Sequence, residues 1–376
     1  MSRVIGTISK YGWFSITGTE VLKRPGSVTI FFTACKEPPQ GLKDLSSYPI
    51  GTALDLKSTL ADTLKLTLTL SEFNSITADR KMKMYSVHPE AGQYHWEDTD
   101  ALVEFSQKNQ LRLFGHTLVW HSGTPNWVQE KAAKDSLWLR SFLADYISTY
   151  VGRYKGKVAA WDVVNEPMET KGGALRETVW KKAMGISYVA DAFRWAHQAD
   201  PEADLFLNDF NLERDTLKLN GFLALVKQLQ KEEVPISGIG FQMHYRMDIP
   251  DALIYKTLKK AAATGLKIHL SEVDLIFNKH DDNRDGGQQT FNELTAEMAA
   301  AQAEKYETLV RVYNSAVPPA QRYGITFWGF NDRDTWIKPF FKLNDWPTLY
   351  DENLQHKPAY AGFRKGLMEN RPYTAE

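Results

Sequence analysis

The chain has a single cysteine, Cys35, among 376 residues, which excludes an intramolecular disulfide framework and a cysteine-rich zinc site. It also has no surplus of one charge. Lys and Arg number 45 against 46 Asp and Glu, a net charge of -1, so no positive field is on hand for a polyanion and nucleic acid is excluded as a partner class. Long apolar runs are missing too: none approaches the roughly 20 residues a spanning helix requires, which excludes a polytopic membrane protein and leaves a lipid anchor open. With 16 Pro and 24 Gly the chain is not of low complexity, so extensive disorder is excluded. No strand-to-helix turn carries G-x-G-x-x-G or G-x-x-x-x-G-K-[ST], so nothing invites a nucleotide.

What is present is a globular composition, 43% hydrophobic and 24% charged, with 11 Trp, 16 Tyr and 19 Phe. Flat rings beside polar residues suit stacking on sugar faces, and aromatic cores have the same composition. Residues 1–47 stand apart. Lys23-Arg24, the apolar Val28 to Phe32, then Thr33-Ala34-Cys35 read as a charged region, a short hydrophobic region and a small-residue cleavage site, as in a bacterial lipoprotein signal. On that reading Cys35 carries the lipid, Pro38-Pro39-Gln40-Gly41 is a spacer, and the protein is exported and membrane-anchored, in the periplasm or at the cell surface. The plainer alternative is a buried strand with an ordinary core cysteine.

From Tyr48 onward, apolar runs alternate with amphipathic stretches. The runs at 49–54, 73–77, 111–120, 159–165, 204–208, 238–244, 267–275 and 323–330 predict eight strands. Helical periodicity at 98–108, 136–153, 179–199, 217–231, 254–264 and 296–315 falls between them. Such alternation implies parallel pairing, and eight units fit one closed (β/α)8 TIM barrel over 48–376, an α/β fold with a single catalytic domain. In a barrel the working residues sit at the C-terminal strand ends. Here these ends are unusually polar: His116 and Trp120-His121, Asn165-Glu166, Asn208-Asp209, Gln242 and His244, Glu272 and Asp274, then Trp328 with Asn331-Asp332.

Two glutamates on opposite walls of one mouth suit glycoside hydrolysis, in which one carboxyl gives a proton to the leaving oxygen while the other attacks or activates water. Glu166, beside Asn165 and Pro167 and within reach of Trp120, is placed as the acid/base. Glu272, with His244 near and Asp274 to orient that His, is placed as the ionised nucleophile. A metal is not expected: strand alternation sends His116 and His121 to opposite faces and gives His269 and Glu272 opposite parity.

At these residues the chain resembles the family-10 glycoside hydrolases, the endo-β-1,4-xylanases of the (β/α)8 fold. The resemblance runs from about Tyr48 to Gly366 and rests on six blocks: Gly115 to His121, Trp161 to Pro167, Asn208 to Asn211, Gly238 to His244, His269 to Asp274, and Gly324 to Gly329. It implies a retaining enzyme that cuts internal linkages of xylan and xylooligosaccharides without a cofactor, with Glu166 as acid/base and Glu272 as nucleophile. It further implies that His116, Trp120, Asn165, Gln242 and His244 surround the sugar next to the scissile bond, and that Trp328 and Trp336 roof or floor the glycone side. Asp274 and Asn208 support the site, and a monomer is expected.

One block departs. Family members usually show Glu-Asn-Glu-Met-Lys-Trp after the second strand, where Glu, Asn and Lys bind glycone sugars; this chain reads Asp79-Arg80-Lys81-Met82-Lys83-Met84. Asp79 and Lys83 remain the expected sugar ligands there. Arg80 replaces an amide that donates and accepts with a cation that only donates, which suits an acidic branch on the substrate, or else points to solvent. Ile337, after Trp336, stands where many relatives carry Arg, so the loop after the eighth strand is expected to shape the cleft differently. The segment 278–289 reads as a mobile loop beside the nucleophile's strand, either rimming the cleft or merely connecting elements. A broader β-glycanase and a non-catalytic xylan-binding lipoprotein are the competing functions; the second has no use for a paired acid and nucleophile.

Overall fold

A computed structural model describes residues 40–369 and 371–374. The expectations attached to Cys35 and to residues 1–39 lie outside the described residues. Eight parallel strands close on themselves: β1 (Ile50–Leu54), β2 (Ser75–Ala78), β3 (Arg112–Trp120), β4 (Ala160–Asn165), β5 (Asp204–Asp209), β6 (Gly238–Phe241), β7 (Lys267–Ile276) and β8 (Arg322–Phe327), with β8 pairing both β7 and β1. The strands are apolar almost throughout because helices cover the sheet outside and side chains fill the barrel inside; β1, β2 and β4 are buried at every position. Several helices start where an Asp or Thr side chain accepts a first-turn N–H: Asp55 before Leu56–Ala61, Asp62 before Thr63–Glu72, Thr178 before Val179–Met184, Asp215 before Thr216–Lys231 and Thr295 before Ala296–Ala316.

The floor of the barrel is a plug of Phe114, Ala160, Phe206 and Tyr323, against which His269 packs. His269 Nε2 lies 2.9 Å from Thr326 Oγ1, and burial holds the ring far below its usual pKa, hence neutral. Above the plug, three strands carry an extra residue. Between paired positions, Leu270 to Val273 of β7 spans three steps against two in β8, His116 to Val119 of β3 three against two in β4, and Asp162 to Val164 of β4 two against one in β5. Each bulge reverses the in-and-out alternation for the last few residues of its strand. This corrects the parity argument: His269 and Glu272 both face the barrel interior, and so do Asp162 and Asn165.

Several boundaries differ from the expectation. The domain begins before residue 48. Leu42 is fully buried and its N–H donates to Glu72, which also accepts from the Tyr360 hydroxyl, tying this segment to two helices. Gly41 is no spacer, since a Cβ there would sit 2.0 Å from the Ser71 carbonyl oxygen. The helix expected at 179–199 breaks at Gly185, whose φ of 66° ends Val179–Met184 before Ser187–Ala199 begins. The strand expected at 238–244 stops at Phe241 and resumes as His244–Arg246, paired with Asp274–Ile276 of β7. The segment 278–289 is a small hairpin, Lys279–His280 against Gly287–Gln288, pinned by a bidentate Arg214–Asp282 ion pair at 2.8 Å and by His280 stacked on Phe341.

If residues 40–47 belong to the fold, Leu42→Ala is expected to cost about 3 kcal/mol of unfolding free energy, the usual range for a fully buried Leu. Urea denaturation of the whole chain measures it, and a change under half a kcal/mol would place the true boundary nearer residue 48.

Candidate active site

The polar strand ends meet at the C-terminal mouth of the barrel. Glu166, the residue after β4, adopts a left-handed φ of 54° and donates its N–H to the Asn208 carbonyl, a strained turn of the kind concentrated at functional sites. Glu272 lies within the β7 bulge, 4% exposed. A chain of amides joins the two carboxylates: Gln242 Nε2 donates to Glu166 Oε1 (3.2 Å) and to Asn165 Oδ1 (3.1 Å), and Asn208 Nδ2 donates to the same Asn165 oxygen (3.0 Å) and to Glu272 Oε1 (2.9 Å). Asn208 is held in turn by Ser271, whose hydroxyl donates to its Oδ1 at 2.8 Å. Gly240 on β6 makes room for this amide; a Cβ there would lie 2.1 Å from Asn208 Oδ1.

The two carboxylates have unequal surroundings. Glu272 Oε2 faces His244 Nε2 at 3.4 Å, and its Oε1 lies 4.0 Å from His116 Nδ1. Burial would raise its pKa, but His116, His244 and Lys83 outweigh that and hold the carboxyl below its usual range. Glu166 is more open, receiving one amide donor and lying 3.9 Å from His121 Nδ1. Burial lowers the pKa of His121, so that neighbour is a neutral ring at pH 7.

His244 is the electrostatic hinge. Burial opposes its protonation, yet Nδ1 sits 2.8 Å from Asp274 Oδ2 and Nε2 faces Glu272, so its pKa is pushed up to about 10 and both ring nitrogens carry a proton, Nδ1 donating to Asp274. Trp336 Nε1 donates to the same Asp274 oxygen at 2.7 Å and fixes it. Lys83 is buried beside Trp120 and Trp328, 4.8 and 5.3 Å from their ring centroids; burial lowers its pKa against the pull of Glu272, Asp79 and Glu166. Glu166, Gln242, Asn165, Asn208, Glu272, His116, His244, Asp274 and Trp336 are thus linked by contact at this mouth, with Lys83, Trp120 and Trp328 beside them and Asp79 at its half-exposed edge; His269 lies below, in the barrel floor.

Sequence reasoning passed over three groups. Asp162, inside the Trp161-to-Pro167 block, holds His116 Nδ1 at 2.8 Å while burial pushes its carboxyl up to about 6. The polar residue in a buried strand was the available signal, and the bulge that turns it inward was invisible. Asp209 and Lys218 form a fully buried ion pair at 2.8 Å, and Asp209 also accepts from the Met168 N–H, bracing the loop after Glu166. His116, Asp162 and Glu272 offer ligand atoms within 4.8 Å of one another, a set the parity argument overlooked; these groups already engage one another, Asn208 and His244. Ile337 is fully buried against Ile276, Phe341 and Leu343 and does not line the cleft, which corrects the expectation for that position.

With this geometry in place, the chain was compared with known proteins. A model of glycosyl hydrolase family 10 matches residues 42–365. Endo-1,4-beta-xylanase B of Paenibacillus barcinonensis is 37% identical over 298 residues, 77% of this chain and 87% of that protein. Endo-1,4-beta-xylanase A of Cellvibrio japonicus (strain Ueda107) is 35% identical over 349 residues, which are 87% of this chain but 56% of that longer protein. Among solved structures, a variant of Xylanase10C from Cellvibrio japonicus in complex with xylopentaose superposes with a TM-score of 0.81 at 32% identity, covering 88% of this chain and 69% of the other.

The His244 arrangement has a measurable sign. A folded-state pKa raised above the usual value near 6.5 stabilises the fold fully below that value, and the contribution disappears as pH rises through about 10. NMR titration of the His244 ring is expected to show imidazolium well into the alkaline range in the wild type. In Asp274→Asn, burial dominates and the ring is expected to be neutral at pH 7. A ring charged at pH 7 in that variant would assign the proton's retention to Glu272 alone.

Proposed function

The chain belongs to glycosyl hydrolase family 10, and from that premise we propose that it is an endo-1,4-β-xylanase, cleaving internal β-1,4-xylosidic linkages of xylan and xylooligosaccharides with net retention. The observation that carries the reading is the pair of carboxylates joined through three amides yet held in unequal environments. Glu272, ionised and backed by His244, attacks the anomeric carbon as Glu166 gives its proton to the departing glycosidic oxygen; a covalent glycosyl ester forms on Glu272. Glu166, now a carboxylate, then takes a proton from water, the resulting nucleophile attacks the same carbon, and Glu272 leaves. Two inversions restore the starting configuration. Asn208, already a donor to Glu272, is placed beside the reacting sugar, while His116 and Lys83 supply further donors around it. The xylopentaose complex of the Cellvibrio relative supports the substrate class.

A polymer of this kind does not cross a membrane, which supports the export read from the Lys23-to-Cys35 stretch, with Cys35 as the lipid-bearing residue and a monomeric catalytic domain beyond it. Incorporation of an alkyne-tagged fatty acid into the full chain, lost in Cys35→Ala, is the expected outcome; labelling that survives the substitution removes the anchor from the proposal.

Proton NMR of xylohexaose hydrolysis is expected to show internal cleavage with the β-anomer appearing first. Glu272→Ala is expected to lose turnover by about four orders of magnitude or more and to regain part of it with azide, which enters the space of the missing carboxylate. Glu166→Ala is expected to spare aryl glycosides whose leaving group needs no proton. Equal failure of both variants on an activated aryl substrate would reverse or dissolve the assignment of roles.

A further inference from the structure

Beside the catalytic pair, on the β1, β2 and β8 side of the mouth, lies a pocket of about 190 Å³ whose wall includes Asp55, Lys65, Asp79, Trp328, Asp334 and Trp336. Lys83 connects it to the chemistry, being within electrostatic reach of both Asp79 and Glu272 and lying over Trp328. Its charged groups are mostly spent. Lys65 pairs with Asp334, and Asp55 accepts from the Ser58 N–H at the start of its helix. On the neighbouring surface, Arg333 is bonded to Asp62 at 3.0 Å and Lys81 to Asp98 at 2.6 Å.

Arg80 is the exception among the exposed cations here. It follows the pocket-lining Asp79, its side chain is 66% exposed, and its nearest carboxylate oxygen, on Asp79, stands 3.6 Å from Nε, beyond hydrogen-bond length. Its guanidinium makes no hydrogen bond among the described residues, whereas Lys65, Lys81 and Arg333 each have an acidic partner in contact. Tyr85, 36% exposed, is close enough for its phenol to feel both Arg80 and Asp79. A neutral xylose chain has only hydroxyls to offer this group. A carboxylate matches its fork in both shape and charge, and the one neighbouring acid within reach, Asp79 at 3.6 Å, is too far to occupy that fork.

We propose that Arg80 is a specificity determinant that receives the carboxylate of a uronic-acid branch on the xylan backbone, while Asp79 and the two tryptophans hold the backbone sugar in the pocket. This inference rests on the xylanase reading above and assigns a branch preference to the same cleft. On this reading a branch on the pocket-bound sugar meets Arg80 at the half-exposed Asp79 edge of the pocket. Because the pair is solvent-exposed, its effect is modest and weakens with salt.

The test compares kcat/KM on three oligosaccharides of one length: unbranched, bearing one glucuronosyl branch, and bearing the same branch with its carboxyl reduced to the alcohol. The wild type is expected to favour the acidic branch over its reduced form by about threefold to tenfold, less at high ionic strength. Arg80→Asn is expected to abolish that ratio and its salt dependence, and Arg80→Lys to keep part of it, since a point charge remains without the fork. A ratio unchanged in Arg80→Asn, with all three substrates still cut, overturns the role of Arg80 and leaves the xylanase reading intact. Cleavage of none of the three by the wild type overturns that reading and this inference with it.

Discussion

A carboxylate kept ionised at the bottom of a barrel mouth is the constraint around which this structure is arranged. Glu272 is almost completely removed from water, and an uncompensated charge there would simply take up a proton. The surroundings supply what water would have: the Asn208 amide, the His244 ring, and the nearby charge of Lys83. Each of these needs its own support. Ser271 and the absent side chain of Gly240 seat Asn208, Asp274 keeps His244 charged, and Trp336 keeps Asp274 still. The pair of Trp rings beside Lys83 covers that cation without neutralising it. Residues on or just after six barrel strands, β2, β3, β5, β6, β7 and β8, contribute to this one compensation, which a closed barrel allows because its strand ends converge on a single rim.

The ion pairs around the rim serve position more than stability. Asp209–Lys218 is fully buried, and the burial that pushes Asp209 up to about 6 shows how much of the attraction is spent on desolvation. What the pair does provide is a fixed course for the loop after Glu166, through the Met168 N–H. Arg214 plays the same part for the hairpin after β7, clamping Asp282 from a helix-capping loop far away in sequence.

The eight strands, the barrel and the strand-end residues were legible in the sequence because each depends on local pattern: apolar runs for the strands, helical periodicity between them, and polar residues where an apolar run ends. The last turn of geometry was not. Alternation assigns His269 and Glu272 to opposite faces and hides Asp162, because one extra residue in β7 and one in β4 restart the count, and nothing in the composition of those strands announces it. Contacts between distant segments were equally silent. Leu42 looks like part of a tether until Glu72 and Tyr360 are beside it, Ile337 looks like a cleft residue until Phe341 and Leu343 enclose it, and the Asp- and Gly-rich 278–289 stretch looks loose until Arg214 arrives.

The Asp274–His244–Glu272 line has a consequence for the second half of the proposed reaction. Once a sugar is esterified to Glu272, that side chain no longer carries charge, and His244 loses one of its two anions. Asp274, at 2.8 Å and locked by Trp336, is enough of a counter-ion to leave the imidazolium in place. The ester oxygen is therefore bonded into a pocket that still holds His244 and its Asp274 counter-ion, a pair with little to gain from the neutral ester and much to gain from the carboxylate that replaces it. The same residue that keeps the nucleophile available at the outset thus makes it a good leaving group afterwards, and the covalent intermediate is denied a resting place.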